Sequence, residues 1–350
     1  MYPALAVLQA EKNNDLDVLW VGSDDGIEAD LVQRAGIAYR GIPAAGLHGV
    51  NVFSLPMRVG KLAKGYFAAK KIIDEFKPDV MFFTGGYVGF PVAVAGRKVP
   101  SVLFVPDIEP GLALQQLSKN ADVITLVCED SVKYFNDSAK TCITGYPTRR
   151  DIQQWDRARA LEVFGLPDGE PVLFVFGGSK GARSINQALR ANLSAMLEHC
   201  RIIHVTGKTD WEDMQSFYQS LPAADQARYK IYPYLHEEMG AAFSCADLII
   251  SRAGASTLGE FPLFGVPAIL VPYPYAWRYQ KVNADYLVSK GAALMIRDED
   301  LPDQMVSAVC DLLTDPEKLS AMKKAMERQA MPDAALNIMN VIRQTAGKKN

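Results

Sequence analysis

Short apolar runs alternate with amphipathic segments along almost the whole chain, which predicts parallel sheets covered by helices on both faces. In the first half the predicted strands are residues 18–21, 80–83, 101–105 and 123–127. The predicted helices of this half are residues 27–35, 55–75, 88–97 and 111–119. The strands are rich in Val, Leu and Phe without alternation, as expected for strands buried on both faces.

The same alternation restarts after a polar segment at residues 149–159 and a Leu-Pro-Asp-Gly turn signal at residues 166–169. The strands predicted beyond it are residues 172–176, 201–205, 229–232, 248–251, 268–271 and 292–296. We therefore predict two α/β domains, residues 1–150 and 151–332. Residues 333–350 are predicted to contain a C-terminal helix that packs back on the first domain.

The first predicted element is a helix over residues 3–10, with Pro3 in its first turn, where proline is tolerated. A doubly wound domain normally opens with a strand and a glycine-rich turn before its first helix. We therefore expect the first domain to lack its first strand. The strands near Val18 and Val80 should then flank an empty position in the sheet.

Composition changes this picture little. The 350 residues are 49% hydrophobic and 22% charged, as in ordinary globular proteins, and the net charge of -3 argues against a nucleic-acid partner. No signal peptide and no apolar run long enough to span a membrane are recognisable. The five cysteines form no CxxC pair, which favours buried thiols in a reducing cytosol.

The segment SRAGASTLGE at residues 251–260 predicts an anion site. It follows a predicted strand and opens a helix with small residues, so backbone N–H groups and the positive end of the helix dipole are accessible to a phosphate. About one and a half turns later, Glu260 is placed to reach the hydroxyls of an attached sugar. The alternative is a plain strand-to-helix turn capped by Ser256 or Thr257.

Two further patterns in the second half fit such a ligand. Gln280 and Asn283 lie three residues apart on a predicted helix, where their amides can bind sugar hydroxyls, although a solvated helix face has the same pattern. The segment FGGSKGAR at residues 176–183 joins a strand to a helix and combines glycines with Lys180. It lacks the ending of a P-loop, which argues against an ATPase, and a tight turn remains the alternative.

The first half offers a glycine turn and a basic helix. The turn, TGGYVGFP at residues 84–91, suits an acceptor that carries phosphate, or simply close packing of a helix on the sheet. Residues 58–71 carry five basic side chains and no acid among apolar ones, which suits an anionic membrane surface or an ordinary exposed helix face.

Metal ligands are not evident. Asp298, Glu299 and Asp300 precede Leu301 and Pro302, where capping or solvation is expected, and the four histidines lack ligand spacing. His204 lies in an apolar strand and is expected to be structural. Since a helix dipole can neutralise a leaving pyrophosphate, we expect neither a metal nor a cofactor.

With these residues in view, the sequence resembles the MurG family of glycosyltransferases, family 28. The matching blocks follow the family's order over nearly the whole chain, at residues 2–6, 28–32, 46–47, 77–80, 85–88, 145–149, 177–183, 251–255 and 280–284. The resemblance implies the glycosyltransferase-B architecture, with two Rossmann-like doubly wound domains facing a cleft. It also implies inverting, metal-independent transfer of N-acetylglucosamine from UDP-GlcNAc to lipid I, an undecaprenyl-pyrophosphate-linked acceptor, giving lipid II for peptidoglycan synthesis at the cytoplasmic face of the inner membrane.

The resemblance also carries residue roles. Glu260 would take the ribose hydroxyls, residues 254–256 the diphosphate, and the backbone at Leu235 the uracil. The donor-binding residues implied are Arg149, Ser179, Leu235, Arg252, Gly254, Ala255, Ser256, Glu260, Gln280 and Asn283. The acceptor-binding residues implied are Gly85, Gly86 and Tyr87.

The sequence departs from the family in two places. The family's first strand and its glycine-rich loop ending in His would precede residue 2, so we expect a fragment or a late start. The family's His-Glu-Gln-Asn block is replaced by residues 104–107, and Asp107 and Glu109 become the candidate catalytic bases. The alternative functions of the protein are UDP-sugar binding without transferase activity, and the activity of a lipid glycosyltransferase or UDP-GlcNAc 2-epimerase of the same fold.

Overall fold

The structure, a computed structural model, describes residues 1–11, 16–26, 28–44, 55–178 and 180–347. These residues form two compact units. Unit 1 comprises Met1–Pro147 together with Asp333–Asn350, and unit 2 is Thr148–Pro332. The first boundary falls just before the polar segment of the sequence, so the charged and glutamine-rich residues open unit 2.

Among the described residues, unit 1 has six parallel strands in two sheets. The first sheet pairs β1 (Leu19–Ser23) with β2 (Ala38–Ile42). The second has the order β3 (Met81–Phe83), β4 (Ser101–Val105), β5 (Val123–Leu126) and β6 (Thr141–Ile143). The helices in this part of unit 1 are α1 (Tyr2–Gln9), α2 (Ala29–Arg34), α3 (Leu55–Phe76), α4 (Gly89–Ala95) and α5 (Leu112–Ser118). The strands expected to flank a gap, β1 and β3, thus belong to separate sheets.

The described part of unit 2 contains one parallel sheet of six strands. The strands are β7 (Val172–Phe176), β8 (Arg201–Val205), β9 (Tyr229–Tyr232), β10 (Leu248–Ser251), β11 (Ala268–Leu270) and β12 (Ala293–Met295). The helices are α6 (Arg157–Phe164), α7 (Arg183–Leu197), α8 (Trp211–Ser220), α9 (Ala223–Arg228), α10 (Glu238–Cys245), α11 (Thr257–Phe264), α12 (Trp277–Ser289), α13 (Leu301–Leu313) and α14 (Pro316–Glu327). The spatial order β12-β11-β10-β7-β8-β9 is that of a doubly wound nucleotide-binding sheet.

Each unit has its own core. In unit 2, Leu173, Ile250 and Ile202 of neighbouring strands are fully buried, and the amphipathic α7 and α13 cover the sheet. The core of unit 1 is built on β4, whose five residues are all buried. Each such aliphatic side chain contributes about 1.5–3 kcal/mol on burial.

The last helix, α15 (Ala334–Ala346), belongs to unit 1. It packs against α1 and β4, and Arg343 forms an ion pair with Glu11. Its buried residues include Ile338 and Ile342, so the end of the chain supplies part of the core of unit 1.

Three details differ from the sequence-based picture or complete it. The predictions missed β2, whose residues are mostly exposed and include Arg40, and the three-residue β6. Of the five free cysteines, Cys142 and Cys310 are only partly buried. No helix among the described residues is long and apolar enough to cross a membrane.

Candidate functional site

The switch point of the unit 2 sheet lies between β7 and β10, from which the chain winds in opposite directions. In doubly wound folds, ligands bind in the crevice at the carboxyl ends of these two strands. We call residues 177–182, which follow β7, loop A, and residues 252–256, which follow β10, loop B. The two glycine-containing segments identified in the sequence therefore meet at one point. Ser179 of loop A lies outside the described residues.

Loop A requires glycine at two positions. Gly178 has φ of +87° and Gly181 has φ of +83°, a backbone conformation that residues other than glycine rarely adopt. A Cβ on Gly181 would lie 2.3 Å from the carbonyl oxygen of Thr206. Loop A is therefore seated at Gly181 directly on the backbone that follows β8, whereas a Cβ on Gly178 would meet no atom within 4 Å.

Loop B leads into α11 with an open backbone. A Cβ on Gly254 would meet no atom within 4 Å, and the Thr257 hydroxyl donates to the Gly254 carbonyl oxygen at 2.7 Å. The N–H groups of the first three residues of α11, Thr257, Leu258 and Gly259, donate to the carbonyl oxygens of residues 254–256. The positive end of the helix dipole therefore points from α11 toward loop B. With small residues at 254–256, this arrangement can accept a phosphate group.

Glu260 lies one turn into α11 and has an unusual proton affinity. Burial of its carboxyl group raises its pKa to about 7, opposed by a hydrogen bond with Ser256 and by the charge of Arg149. The residue as a whole remains partly accessible. Arg149 is itself partly buried, with its guanidinium 3.2 Å from Asp151. A carboxylate here can accept hydrogen bonds from a ligand's hydroxyl groups.

Arg252 differs from its expected role, because its guanidinium is turned into the protein. It donates to the carbonyl oxygen of Val271 at 3.1 Å and to the Ser184 hydroxyl at 2.8 Å, and it pairs with Asp298. The sequence suggested that Asp298 caps a helix or is solvated. Instead its side chain is only 18% exposed and pairs with Arg252.

Helix α12 carries the two predicted amides, and in this structure both contact protein backbone. Gln280 accepts from the backbone N–H of Tyr273 at 2.8 Å, and the fully buried Asn283 donates to the carbonyl oxygen of Ala253 at 3.1 Å. Asn283 thus holds loop B in place rather than facing open space. Leu235, beyond β9, is buried.

A buried polar network that sequence analysis missed lies behind loop A. Asn186 of α7 uses its amide protons for the Thr206 carbonyl oxygen and Asp210, at 2.9 and 2.8 Å. Its oxygen must therefore accept from His204 Nε2, 2.9 Å away, which leaves His204 Nδ1 to accept from the Tyr229 hydroxyl at 2.7 Å. Burial lowers the pKa of His204 to about 3, so the ring is neutral. The sequence indicated this network only through polar residues that lie within otherwise apolar helices and strands.

In unit 1, the predicted acceptor and catalytic residues follow two paired strands. Gly85 and Gly86 come after β3 with φ of +103° and +85°, and the neighbouring Tyr87 is exposed. Asp107 and Glu109 come after β4, and Glu109 is buried. Because β3 and β4 are parallel neighbours, these segments lie at the same edge of the sheet.

The fold and the loops at its switch point define a nucleotide-binding α/β protein of the doubly wound class. The profile of the glycosyltransferase family 28 N-terminal domain matches residues 1–127, and that of the C-terminal domain matches residues 172–338. The chain therefore belongs to glycosyltransferase family 28 and has the glycosyltransferase-B fold.

Individual relatives agree with this assignment. The chain is 36% identical to the UDP-N-acetylglucosamine–N-acetylmuramyl-(pentapeptide) pyrophosphoryl-undecaprenol N-acetylglucosamine transferase of Desulforamulus reducens, over 98% of this chain and 94% of the relative. The crystal structure of Acinetobacter baumannii MurG is similar, with a TM-score of 0.77, 28% identity, and coverage of 98% of this chain and 95% of that one. A putative UDP-N-acetylglucosamine 2-epimerase from Listeria monocytogenes shares the fold alone, with a TM-score of 0.70 at 13% identity, over 100% of this chain and 94% of that one.

Proposed function

We propose that this glycosyltransferase transfers N-acetylglucosamine from UDP-GlcNAc to lipid I and so forms the lipid II used in peptidoglycan synthesis. The observation that carries the proposal is 36% identity, over 98% of the chain, to a transferase named for this reaction. The nucleotide-type crevice of unit 2 supports it. Fold neighbours named as UDP-N-acetylglucosamine 2-epimerases are only 12–13% identical to this chain, which gives no support to that alternative.

In the proposed donor complex, the uridine and diphosphate of UDP-GlcNAc lie at the switch point of unit 2. The carboxylate of Glu260 accepts from the ribose hydroxyls, and the backbone at Leu235 pairs with uracil. The N–H groups of residues 254–256, at the positive end of the α11 dipole, bind the diphosphate, with Arg149 and Ser179 beside it. Gln280 contacts the sugar, and Asn283 supports loop B through its bond to Ala253.

The proposed chemistry is an inverting displacement. The acceptor hydroxyl attacks the anomeric carbon as the bond to the UDP oxygen breaks, a base takes the hydroxyl proton, and the leaving diphosphate keeps the electron pair. Asp107 or Glu109 is the proposed base, and residues 85–87 contact the acceptor. The dipole of α11 stabilises the leaving group, so the transfer is proposed to need no metal ion.

The proposed membrane contact is a mixed basic and apolar surface on α3 and α4 of unit 1. These helices pack together so closely that a Cβ on Gly65 would lie 3.7 Å from the Pro91 side chain. The exposed large apolar residues on these helices and the turn before α4 are Met57, Phe67, Tyr87, Phe90 and Val94. Lys64, Lys70 and Lys71 are exposed on the same α3 helix. Apolar side chains between lysines suit the anionic cytoplasmic surface of the inner membrane.

The decisive experiment is a transfer assay with radiolabelled UDP-GlcNAc and a lipid I analogue, with and without EDTA. We expect labelled lipid II in both conditions, and loss of most activity in Glu260→Gln. Binding of UDP-GlcNAc without product would instead indicate a binding protein, and release of N-acetylmannosamine would indicate an epimerase. Activity abolished by EDTA and restored by a divalent cation would refute metal independence.

A further inference from the structure

A largely buried ion pair joins the two loops of the crevice from behind. Arg252 is the first residue of loop B, and Ser184 lies in the first turn of α7, directly after loop A. The Arg252 guanidinium donates to the Ser184 hydroxyl at 2.8 Å, and that hydroxyl donates to Asp298 Oδ1 at 2.7 Å. Since Arg252 also pairs with Asp298, the three side chains form a closed triangle.

The triangle also ties down the two outer strands on this side of the sheet. Asp298 follows β12, and Arg252 donates to the carbonyl oxygen of Val271, directly after β11, at 3.1 Å. The Tyr273 ring lies 5.2 Å from the guanidinium carbon, which adds a cation–π contact. One guanidinium therefore connects the segments that follow β10, β11 and β12 with the start of α7.

The pair is well shielded from solvent. The side chains of Arg252 and Asp298 are only 10% and 18% exposed. Breaking a buried ion pair on one side leaves an uncompensated charge and is strongly unfavourable, so the contact resists displacement. Three of the five guanidinium N–H groups already have acceptors in the protein.

We infer that Arg252, Asp298 and Ser184 form a clamp that sets the separation of loops A and B, and that Arg252 acts on the donor diphosphate through the loops rather than by contact. Arg252 is then a positioning residue. The inference rests on the proposed function, because the diphosphate is taken to lie between these loops. It reassigns Arg252 from ligand contact to support, and it gives Asp298 and Ser184 a role.

The test measures UDP and uridine affinities by calorimetry for Asp298→Asn, Arg252→Lys and the double variant. If the clamp sets the loop separation, each single variant binds UDP about tenfold more weakly, uridine changes less, and the double variant loses no more than about tenfold. If Arg252 contacts the diphosphate directly, Asp298→Asn frees its charge and binds UDP as tightly as the wild type or more tightly, which overturns the inference. A double variant that loses about a hundredfold would overturn it equally.

Two controls separate positioning from general stability. Arg297 and Glu299 flank Asp298 and form an exposed pair at 3.3 Å, so Arg297→Gln and Glu299→Gln should bind UDP normally. Val309→Ala opens the core under α13 and should lower the melting temperature with UDP affinity unchanged. If Asp298→Asn does not fold, Ser184→Ala decides the question, with about threefold weaker UDP binding expected and unchanged binding refuting the clamp.

Absence of UDP binding by the wild-type chain would refute the proposed function, and the clamp with it. If the wild-type chain binds UDP and Asp298→Asn binds it with the same affinity, the clamp alone is refuted.

Discussion

The proposed contact of Glu260 with the donor predicts that donor binding depends on pH in a definite direction. Its pKa of about 7 in the free protein means that the carboxyl is half protonated at neutral pH. A protonated carboxyl loses one of its acceptor oxygens, so ribose hydroxyls should select the ionised form. Binding then requires proton release, and the affinity for the donor should fall as the pH falls through 7.

The magnitude follows from the pKa. If only the ionised form binds, the apparent dissociation constant rises by a factor of one plus ten to the power of pKa minus pH. Affinity should therefore be about tenfold weaker at pH 6 than at pH 8, which corresponds to about 1.4 kcal/mol. Glu260→Gln should bind more weakly at pH 8 and show no such slope.

The assay is calorimetry with UDP-GlcNAc, whose diphosphate is esterified at both ends and has no proton to lose near neutral pH. UDP itself would mix its own titration into the result. A wild-type affinity that is constant between pH 6 and 8 would refute the reasoning. So would a Glu260→Gln variant that keeps the wild-type slope, since the titrating group would then lie elsewhere.

Three further predictions concern other parts of the fold. Burial lowers the pKa of His204 from 6.5 to about 3, so its contribution to stability is present above pH 6.5 and is lost as the pH falls toward 3. The melting temperature should therefore fall less steeply with decreasing pH in His204→Gln than in the wild type. Equal slopes of melting temperature against pH would contradict this. Gly181→Ala should abolish UDP binding because its Cβ would lie 2.3 Å from a carbonyl oxygen, whereas Gly169→Ala, with φ of +94° but open space, should cost only about 1 kcal/mol of stability and keep binding. Lys64→Glu should weaken co-sedimentation with phosphatidylglycerol vesicles about fivefold or more, because each lysine near an anionic surface contributes about 1 kcal/mol to membrane binding. The control Lys323→Glu, at an exposed position of unit 2, should bind the vesicles like the wild type. Equal binding by both variants would refute the proposed membrane surface.

The positions of the crevice loops could be predicted from sequence because glycine and small residues mark places where backbone must be open. Gly178 and Gly181 have positive φ, and Gly254 has space around it, as their residue type suggests. Family resemblance then supplied the order of the blocks. The fold class, the glycosyltransferase assignment and the family were therefore confirmed.

Side-chain direction could not be predicted in the same way. A sequence shows that Arg252 lies beside a candidate phosphate site, but not that Asp298, 46 residues later, draws it inward. Asn283 has the residue type of a sugar contact, yet its side-chain amide donates to the backbone carbonyl oxygen of Ala253. Both outcomes depend on partners brought together by the sheet, and no local pattern encodes them.

The position of α15 has a consequence for the synthesis of the protein. Unit 2 is one uninterrupted stretch of chain, whereas unit 1 is closed only when residues 333–350 have left the ribosome. During translation the apolar contact sites on α1 and β4 must therefore wait, uncovered, while all of unit 2 is made and folds. Docking of α15 on α1 and β4 is the step that completes unit 1, so a deletion within α15 destabilises the unit that was synthesised first.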